Sequence, residues 1–348
     1  MYRTAKEGGN GVVEVPETIS EDFAYFTINQ IDEARAYYRA NGYVVIRKLI
    51  SKNICQRARQ SFDETKHARI PLLRQHNARY EPNKFNEYGH LVNPIFNVQD
   101  LRTRPFGPFK AGVLDLVTSD PVIQVVKRFF DDHPKIISTM FFEGNAEGGT
   151  LAHQDSYYQD SERPGEATAG WYALENIHPG AGRFFIYPGS HKWKPVNNQG
   201  SYDIAFNHKA YLKHMVESTA DKKMHVPMMQ QGDAIFWSSL TVHGSLPTKD
   251  PQHSRCSITA HYLRHNEDMI QFHRRVKVLK FARHNGIIVN RLHDQDEIRN
   301  RIMRTAFFYA PKSMAFVRDT AIKLLNYRKK NPNLRPTIVR AKSSTSIM

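Results

Sequence analysis

Three side chains in this sequence have the types and order needed to hold a divalent metal. His153 and Asp155 lie in the run His153-Gln154-Asp155, and His243 follows 88 residues after the aspartate. Two imidazoles and one carboxylate can occupy one face of a ferrous ion and leave the opposite face open. Non-haem Fe(II) oxygenases seat a co-substrate and O2 in those open positions. Twelve residues beyond His243 stands Arg255. Its planar guanidinium can grip a carboxylate through two parallel charge-assisted hydrogen bonds. Zinc accepts a similar ligand set and is the competing metal.

These residues need a scaffold that brings distant segments together. His153 and Asp155 are two apart, so on extended chain they share a face. Upstream lies the β-rich run Lys135–Phe142, ending at Glu143-Gly144-Asn145. Downstream come Gly170–Leu174, the turn-rich His178–Gly182, Arg183–Tyr187 and Pro188-Gly189-Ser190-His191. Gln231-Gly232-Asp233 leads into Ala234–Trp237, and Leu240–Val242 into His243-Gly244-Ser245. Short apolar runs punctuated by Gly, Pro, Asn and Asp read as strands joined by turns. The expected fold is an all-β core, a double-stranded β-helix (jelly roll, cupin-like), with the metal at its mouth and flanking N- and C-terminal α-helices. Gly244 lets backbone and substrate approach closely beside His243.

On H-Q-D at 153–155, Trp171, Pro188-Gly189-Ser190-His191, His243-Gly244-Ser245 and Arg255-x-Ser257, the segment from Lys135 to Tyr262 resembles the phytanoyl-CoA dioxygenase family of Fe(II)/2-oxoglutarate oxygenases. The likeness extends to Asn41–Ile46, similar to that family's opening of helix, glycine and strand. The resemblance implies that His153, Asp155 and His243 ligate Fe(II). It implies that Arg255 anchors the distal carboxylate of 2-oxoglutarate, with Ser257 adding a hydroxyl from the same strand face. Gln154, Trp171 and Ser245 are implied to line the co-substrate pocket. Thr139 and Phe141 share a strand face, which parity places near the metal, with Thr139 touching 2-oxoglutarate. Tyr157 and Tyr158 either contact the primary substrate or pack, and His191 holds a loop.

The implied reaction consumes 2-oxoglutarate and O2, releases succinate and CO2, and hydroxylates an unactivated C–H bond. Its substrate is expected to be a small or medium-sized metabolite, anionic ones included. Related halogenases carry a small residue at the carboxylate position, so Asp155 favours hydroxylation, desaturation or ring closure. A 2-oxoglutarate pocket built on Arg255 and Trp171 favours iron over zinc. The alternative from another class is a jelly-roll binding protein without oxygenase turnover.

Composition bounds the partners. The 348 residues carry a net charge of +15. Residues 264–348 hold 19 Lys+Arg against 6 Asp+Glu, a net of +13, which leaves +2 for the other 263. A basic segment attracts anions at long range: an anionic membrane surface, a carrier, or a charged substrate. Nucleic acid is disfavoured because no nucleic-acid module is present. Met314, Val317, Ala321 and Leu324 are spaced as one helical face bordered by basic residues, as in an interfacial helix. The favoured reading is an ordinary helix that packs this face on the jelly roll. No stretch of 18 apolar residues and no signal-peptide pattern is seen. Cys55 and Cys256 read as buried thiols in a reducing compartment. The expected location is cytoplasmic, with attachment at a membrane periphery as the variant.

The expected organisation is a polar segment at 1–30, a helical part at 31–134 with a lid-like loop at 71–110, a catalytic jelly roll at 135–265, a basic helical part at 266–330 and a flexible tail at 331–348. Within 31–134, Asp32–Ala40 is a helix stopped by Gly42, Tyr43–Arg47 a strand, and Ser51 the cap of a helix running towards His67.

Overall fold

The computed structural model describes residues 2–5, 12–144, 149–194, 196, 207–271, 274–276, 278 and 280–330. Asn145 and the tail from Asn331, read above as a strand end and a flexible tail, lie outside these residues. The strands that matter for the site are β1 (Tyr43–Ile46), β2 (Pro134–Phe142), β3 (Thr150–His153), β4 (Thr168–Ala173), β5 (Phe184–Ile186), β6 (Ala234–Ser238), β7 (His243–Ser245) and β8 (Ser257–Arg264). A nine-stranded sheet has the order Phe281–His284, Ile287–Asn290, β2, β8, β4, β6, β1, Tyr25–Phe26, with Ile95–Phe96 also paired to β2. A second sheet has the order β5, β7, β3. Together they form the expected jelly roll.

The large sheet is apolar on both faces, and alternation assigns each residue to a side. From β8, Ile258, Ala260 and Tyr262 join Val44, Ile46, Phe141, Tyr172 and Phe236 in one core. The helices α2 (Lys52–Asp63), α3 (Thr103–Val117) and α4 (Asp120–Phe130) bring Phe62, Phe109, Val113 and Val126 onto it. The opposite face packs Tyr43, Val45, Ala169, Trp171, Ile235 and Trp237 against Phe184 and Ile186 of the small sheet. Each large apolar side chain buried this way contributes about 1.5–3 kcal/mol. Both faces are therefore held by cores, and the site lies on the inner one.

Local signals behave as their chemistry dictates. The helix α1 (Ile31–Asn41) ends at Gly42, whose φ of 81° is left-handed and whose N–H donates to Tyr38 O at 2.7 Å. A Cβ there would lie 2.4 Å from His191 Nδ1 and 2.6 Å from Thr241 Oγ1. Glycine thus serves both the turn and the packing. The His191 ring meets Arg39 O at 3.2 Å, which ties its loop to α1. Ser51 accepts from Ile54 N–H, but the helix it caps stops at Asp63, short of His67. Cys55 and Cys256 are buried free thiols.

Two expectations about organisation give way to a different structure. Residues 71–110 are not one loop. Leu72–Leu73 pairs with Tyr80–Glu81, Ile95–Phe96 pairs with β2, and α3 begins at Thr103. The polar residues that suggested a lid are partly turned inward. The buried Arg74 guanidinium donates to Glu81 O, Asn93 O and Asn83 Oδ1. Residues 266–330 are not purely helical either. Phe281–His284 and Ile287–Asn290 form a hairpin turning at Asn285-Gly286, both at positive φ. Asn-Gly is the strongest short hairpin signal. The second of these strands extends the large sheet in parallel with β2, pairing Ile288 with Lys135. Two helices follow, α6 (Ile298–Tyr309) and α7 (Pro311–Lys330), after α5 (His208–Thr219) earlier in the chain. No described helix is long and apolar enough to cross a membrane.

Gly244 lies on β7, the central strand of the small sheet, between β5 and β3. A Cβ on it would lie 2.4 Å from Thr150 O and 2.6 Å from the Phe185 ring. Backbone cannot yield as a flexible side chain can, so Gly244→Ala must part β7 from β3. Overpacking of this kind costs roughly 1–3 kcal/mol. Urea unfolding of Gly244→Ala should register that loss, and a curve superimposable on wild type would refute the close approach.

Candidate metal centre

His153 ends β3 and His243 begins β7, and strand pairing sets them directly opposite each other. Their ring centroids are 4.3 Å apart. Asp155 follows β3 at the start of a single 3-10 turn, Asp155–Tyr157, anchored by Ser156 N–H donating to Ser239 O at 3.0 Å. That turn directs the carboxylate between the two rings. His153 Nε2 and His243 Nε2 lie 3.7 and 3.6 Å from Asp155 Oδ1. All three candidate ligand atoms fall within 4.8 Å of one another.

The second nitrogen of each ring explains why these imidazoles suit a metal. His153 Nδ1 is 2.8 Å from Leu151 O, and His243 Nδ1 is 2.9 Å from Thr241 O. A carbonyl only accepts, so each Nδ1 carries the proton and each Nε2 turns a lone pair to the carboxylate. Burial pushes the His243 imidazole down to about 4, against the pull of Asp155. It is neutral at neutral pH. Burial also acts to raise the carboxyl of Asp155. Its neighbours His243 and His261, the latter hydrogen-bonded to it, outweigh burial and hold Asp155 well below the usual range. The neutral His243 imidazole, the Nε2 lone pair of His153 and an ionised carboxylate are the donor set a divalent cation requires.

Asp155 Oδ2 is held separately from Oδ1. It accepts Trp237 Nε1–H at 2.8 Å and meets His261 Nε2 at 3.2 Å. His261 Nδ1 is 3.0 Å from Ser138 Oγ, which in turn accepts Gln159 Nε2–H at 2.9 Å. One oxygen is thus fixed by a relay of side chains and the other is aimed at the rings. Sequence reasoning missed Trp237, His261 and Ser138. Parity could have found them, since Ser257, Thr259 and His261 alternate onto one face of β8, and Trp237 pairs with Ala169, next but one to Trp171.

Arg255 extends the same face, because its N–H donates to Glu143 O at 2.7 Å and continues the strand pairing. Glu175 grips the neighbouring residues, accepting Cys256 N–H at 2.6 Å and Ser254 Oγ–H at 2.5 Å. Between them the Arg255 side chain points inward and is 3% exposed. Its Nη1 donates to Gly182 O at 3.1 Å, and its Nε finds no partner. Burial pushes this guanidinium down to about 9, with no carboxylate among the described residues to oppose it. The hydroxyls of Ser245 and Ser257 are also buried without partners. Native interiors rarely leave such groups unsatisfied. A buried cation with two orphan hydroxyls is complementary to a bound carboxylate.

The remaining predicted residues divide. Trp171 lies on the inner face, its ring 6.2 Å from that of Phe184, which stacks 5.4 Å from His243. Thr139 does not face the site, contrary to expectation. In β2 the residues opposite Ser257, Thr259 and His261 are Phe142, Met140 and Ser138, so Thr139 and Phe141 occupy the outer face. Thr139 Oγ1 donates to Gln99 Oε1 at 2.6 Å, and Phe141 packs on Phe62 and Phe109. The parity was right and the side was wrong. Gln154 turns away from the triad, its Nε2 donating to Leu240 O at 2.7 Å. Tyr157 is core, stacked 3.9 Å from Tyr211. Tyr158 lies 5.7 Å from the His153 ring and its hydroxyl is 2.9 Å from His208 Nε2.

His178, Asp250 and His253 also gather at ligand spacing. There, however, His178 Nδ1 accepts Gly180 N–H at 3.1 Å, which leaves the proton on Nε2. The His178 and His253 rings stack almost parallel at 3.8 Å rather than converging. The contrast sets the first cluster apart as the candidate centre.

Comparison with known proteins agrees with this geometry. The family model described as "Phytanoyl-CoA dioxygenase (PhyH)" matches residues 38–256. The chain is 24% identical to the human "Phytanoyl-CoA dioxygenase, peroxisomal" over 263 residues, covering 73% of this chain and 75% of that one. It is also 24% identical over 250 residues to the Caenorhabditis elegans "Probable phytanoyl-CoA dioxygenase", covering 69% and 77%. Among solved structures it resembles the epimerase SnoN in complex with Fe3+, alpha ketoglutarate and nogalamycin RO. That TM-score is 0.50 at 15% identity, over 69% of this chain and 86% of that one, a likeness of fold.

Trp237→Phe keeps an aromatic ring and removes the N–H on Asp155 Oδ2 together with part of the indole's volume. Partners that orient a metal ligand are worth about 10–100-fold in metal affinity. Anaerobic titration with Fe(II) or Co(II) should show a loss in that range, alongside the lower melting temperature that the lost volume brings. Unaltered affinity would mean that Asp155 does not need this support.

Proposed function

This chain belongs to the phytanoyl-CoA dioxygenase family and is an Fe(II)- and 2-oxoglutarate-dependent dioxygenase; on that premise we propose that it hydroxylates an unactivated C–H bond of a small or medium-sized metabolite at the His153–Asp155–His243 centre. In this reading His153 Nε2, His243 Nε2 and one oxygen of Asp155 hold the iron. Arg255, with the Ser257 and Ser245 hydroxyls, holds the distal carboxylate of 2-oxoglutarate. When bound, iron and 2-oxoglutarate supply the coupling of oxidative decarboxylation, yielding succinate and CO2, to attack on a C–H bond.

The observation that carries the reading is the buried Arg255 guanidinium, which has one carbonyl partner and no carboxylate opposing its burial, with the unpartnered Ser257 hydroxyl two residues along the same strand face. A hydrolytic zinc centre has no use for it, and neither does a binding module that only kept the fold. The protein's own work is positional. Glu175 braces the strand that aims Arg255, and Trp171, Phe184 and Trp237 form an apolar wall around the inner face. Such a wall excludes water and strengthens the charge pairing of co-substrate with arginine. Asp155 keeps a carboxylate at the ligand position, which favours oxygen insertion over halogenation. Tyr158 and His208, beside His153, are the described polar groups best placed to meet the primary substrate.

Purified protein given Fe(II), 2-oxoglutarate and O2 should form succinate, slowly without the primary substrate. His153→Ala should abolish turnover and keep its thermal stability. Arg255→Gln should raise the 2-oxoglutarate concentration for half-maximal rate by about 100-fold, the loss expected for a charge-assisted pair. Added 2-oxoglutarate with Fe(II) under anaerobic conditions should raise the melting temperature of wild type and not of Arg255→Gln. Succinate formation that is indifferent to Arg255, or no 2-oxoglutarate-dependent stabilisation of wild type, would overturn the assignment.

A further inference from the structure

The two C-terminal helices expose what a helix normally hides. Thirteen large hydrophobic residues are exposed among the described residues, and nine of them fall between Ile298 and Tyr327. In α6, Ile298, Ile302 and Tyr309 are 67%, 61% and 79% exposed. Their spacing of four and then seven residues places them on one face. Arg299 and Arg301 flank that stripe, while Phe307 turns back to the Tyr80 ring at 6.4 Å. In α7, Phe316, Val317 and Leu324 are 74%, 57% and 49% exposed and again share a face. Lys312 and Lys323 border it on one side. The expectation that Val317 and Leu324 pack on the jelly roll fails. No residue of α6 or of the described part of α7 is fully buried.

Charge narrows what covers these faces. Residues 298–330 hold nine Lys+Arg and one acidic residue, Asp319. A second copy of this chain would bring the same positive charge against it. A purely polyanionic partner such as nucleic acid would leave the isoleucines and Phe316 in water. An anionic bilayer surface satisfies both features, because apolar side chains enter the headgroup–acyl boundary while flanking cations meet lipid phosphates and carboxylates.

We propose that α6 and α7 dock this enzyme on an anionic lipid bilayer, the exposed apolar stripes entering the interface and the flanking Lys and Arg binding acidic headgroups. This docking is independent of the metal chemistry, and none of its residues belongs to the site described above.

The test is co-sedimentation of the full chain with phosphatidylcholine vesicles, with and without phosphatidylserine. Binding is expected only with phosphatidylserine and should weaken as salt is raised. Lys312→Glu with Lys323→Glu should lower the partition coefficient at least about tenfold. Phe316→Ser with Ile302→Ser should lower it comparably, although these exposed changes leave the fold and 2-oxoglutarate-dependent succinate formation intact. Absence of wild-type binding, or equal binding to neutral vesicles, overturns the proposal. So does retention on duplex DNA that the lysine variant loses and the apolar variant keeps, with no vesicle binding. A concentration-dependent dimer in sedimentation velocity that Phe316→Ser abolishes would assign the surface to a second copy instead.

Discussion

The buried carboxylate of Asp155 is the group around which the rest of the site is arranged. An ionised carboxylate removed from water costs several kcal/mol unless its lone pairs are met. Here Trp237 and His261 meet one oxygen, and two imidazoles face the other. The ring protons sit on the far nitrogens because Leu151 and Thr241 present carbonyls there. The result is a cluster of acceptors without a donor at its centre. That arrangement is well suited to a cation.

Arg255 lies on the same inner face, a buried guanidinium with no carboxylate among the described residues opposing its burial. Glu175 does not neutralise it. Its carboxylate is spent on the backbone and side chain to either side of Arg255 and on Arg59. The guanidinium therefore stays available. The large sheet is anchored independently by its outer core, where Ile258, Ala260 and Tyr262 meet three helices. The inner face can carry polar residues that favour binding over stability.

Much of this was legible in the chain. The β-rich runs and turn residues led to the jelly roll, and Gly42 and Ser51 marked a helix end and a helix start where the structure has them. The joining of His153, Asp155 and His243 followed from residue types together with a family likeness. Other parts were not legible for definite reasons. Thr139 was assigned to the wrong face because alternation tells which residues share a side, never which side meets the metal. The hairpin at Asn285-Gly286 had a readable signal in that dipeptide, whereas the basic charge around it says nothing of whether the chain is extended or helical. His261 looked like one of many unremarkable histidines until strand pairing set it beside Asp155.

What the sequence determined alone is local: which segments extend, where they turn, which residue pairs share a face, and which side chains own lone pairs or charge. These depend on neighbours within a few positions. Only the tertiary structure decided which tautomer each histidine holds, that Trp237 and His261 share Asp155, that Arg255 has no anion of its own, and that α6 and α7 leave their apolar stripes uncovered. Each of these depends on groups brought together from distant parts of the chain, and burial there removes the water that would otherwise satisfy them.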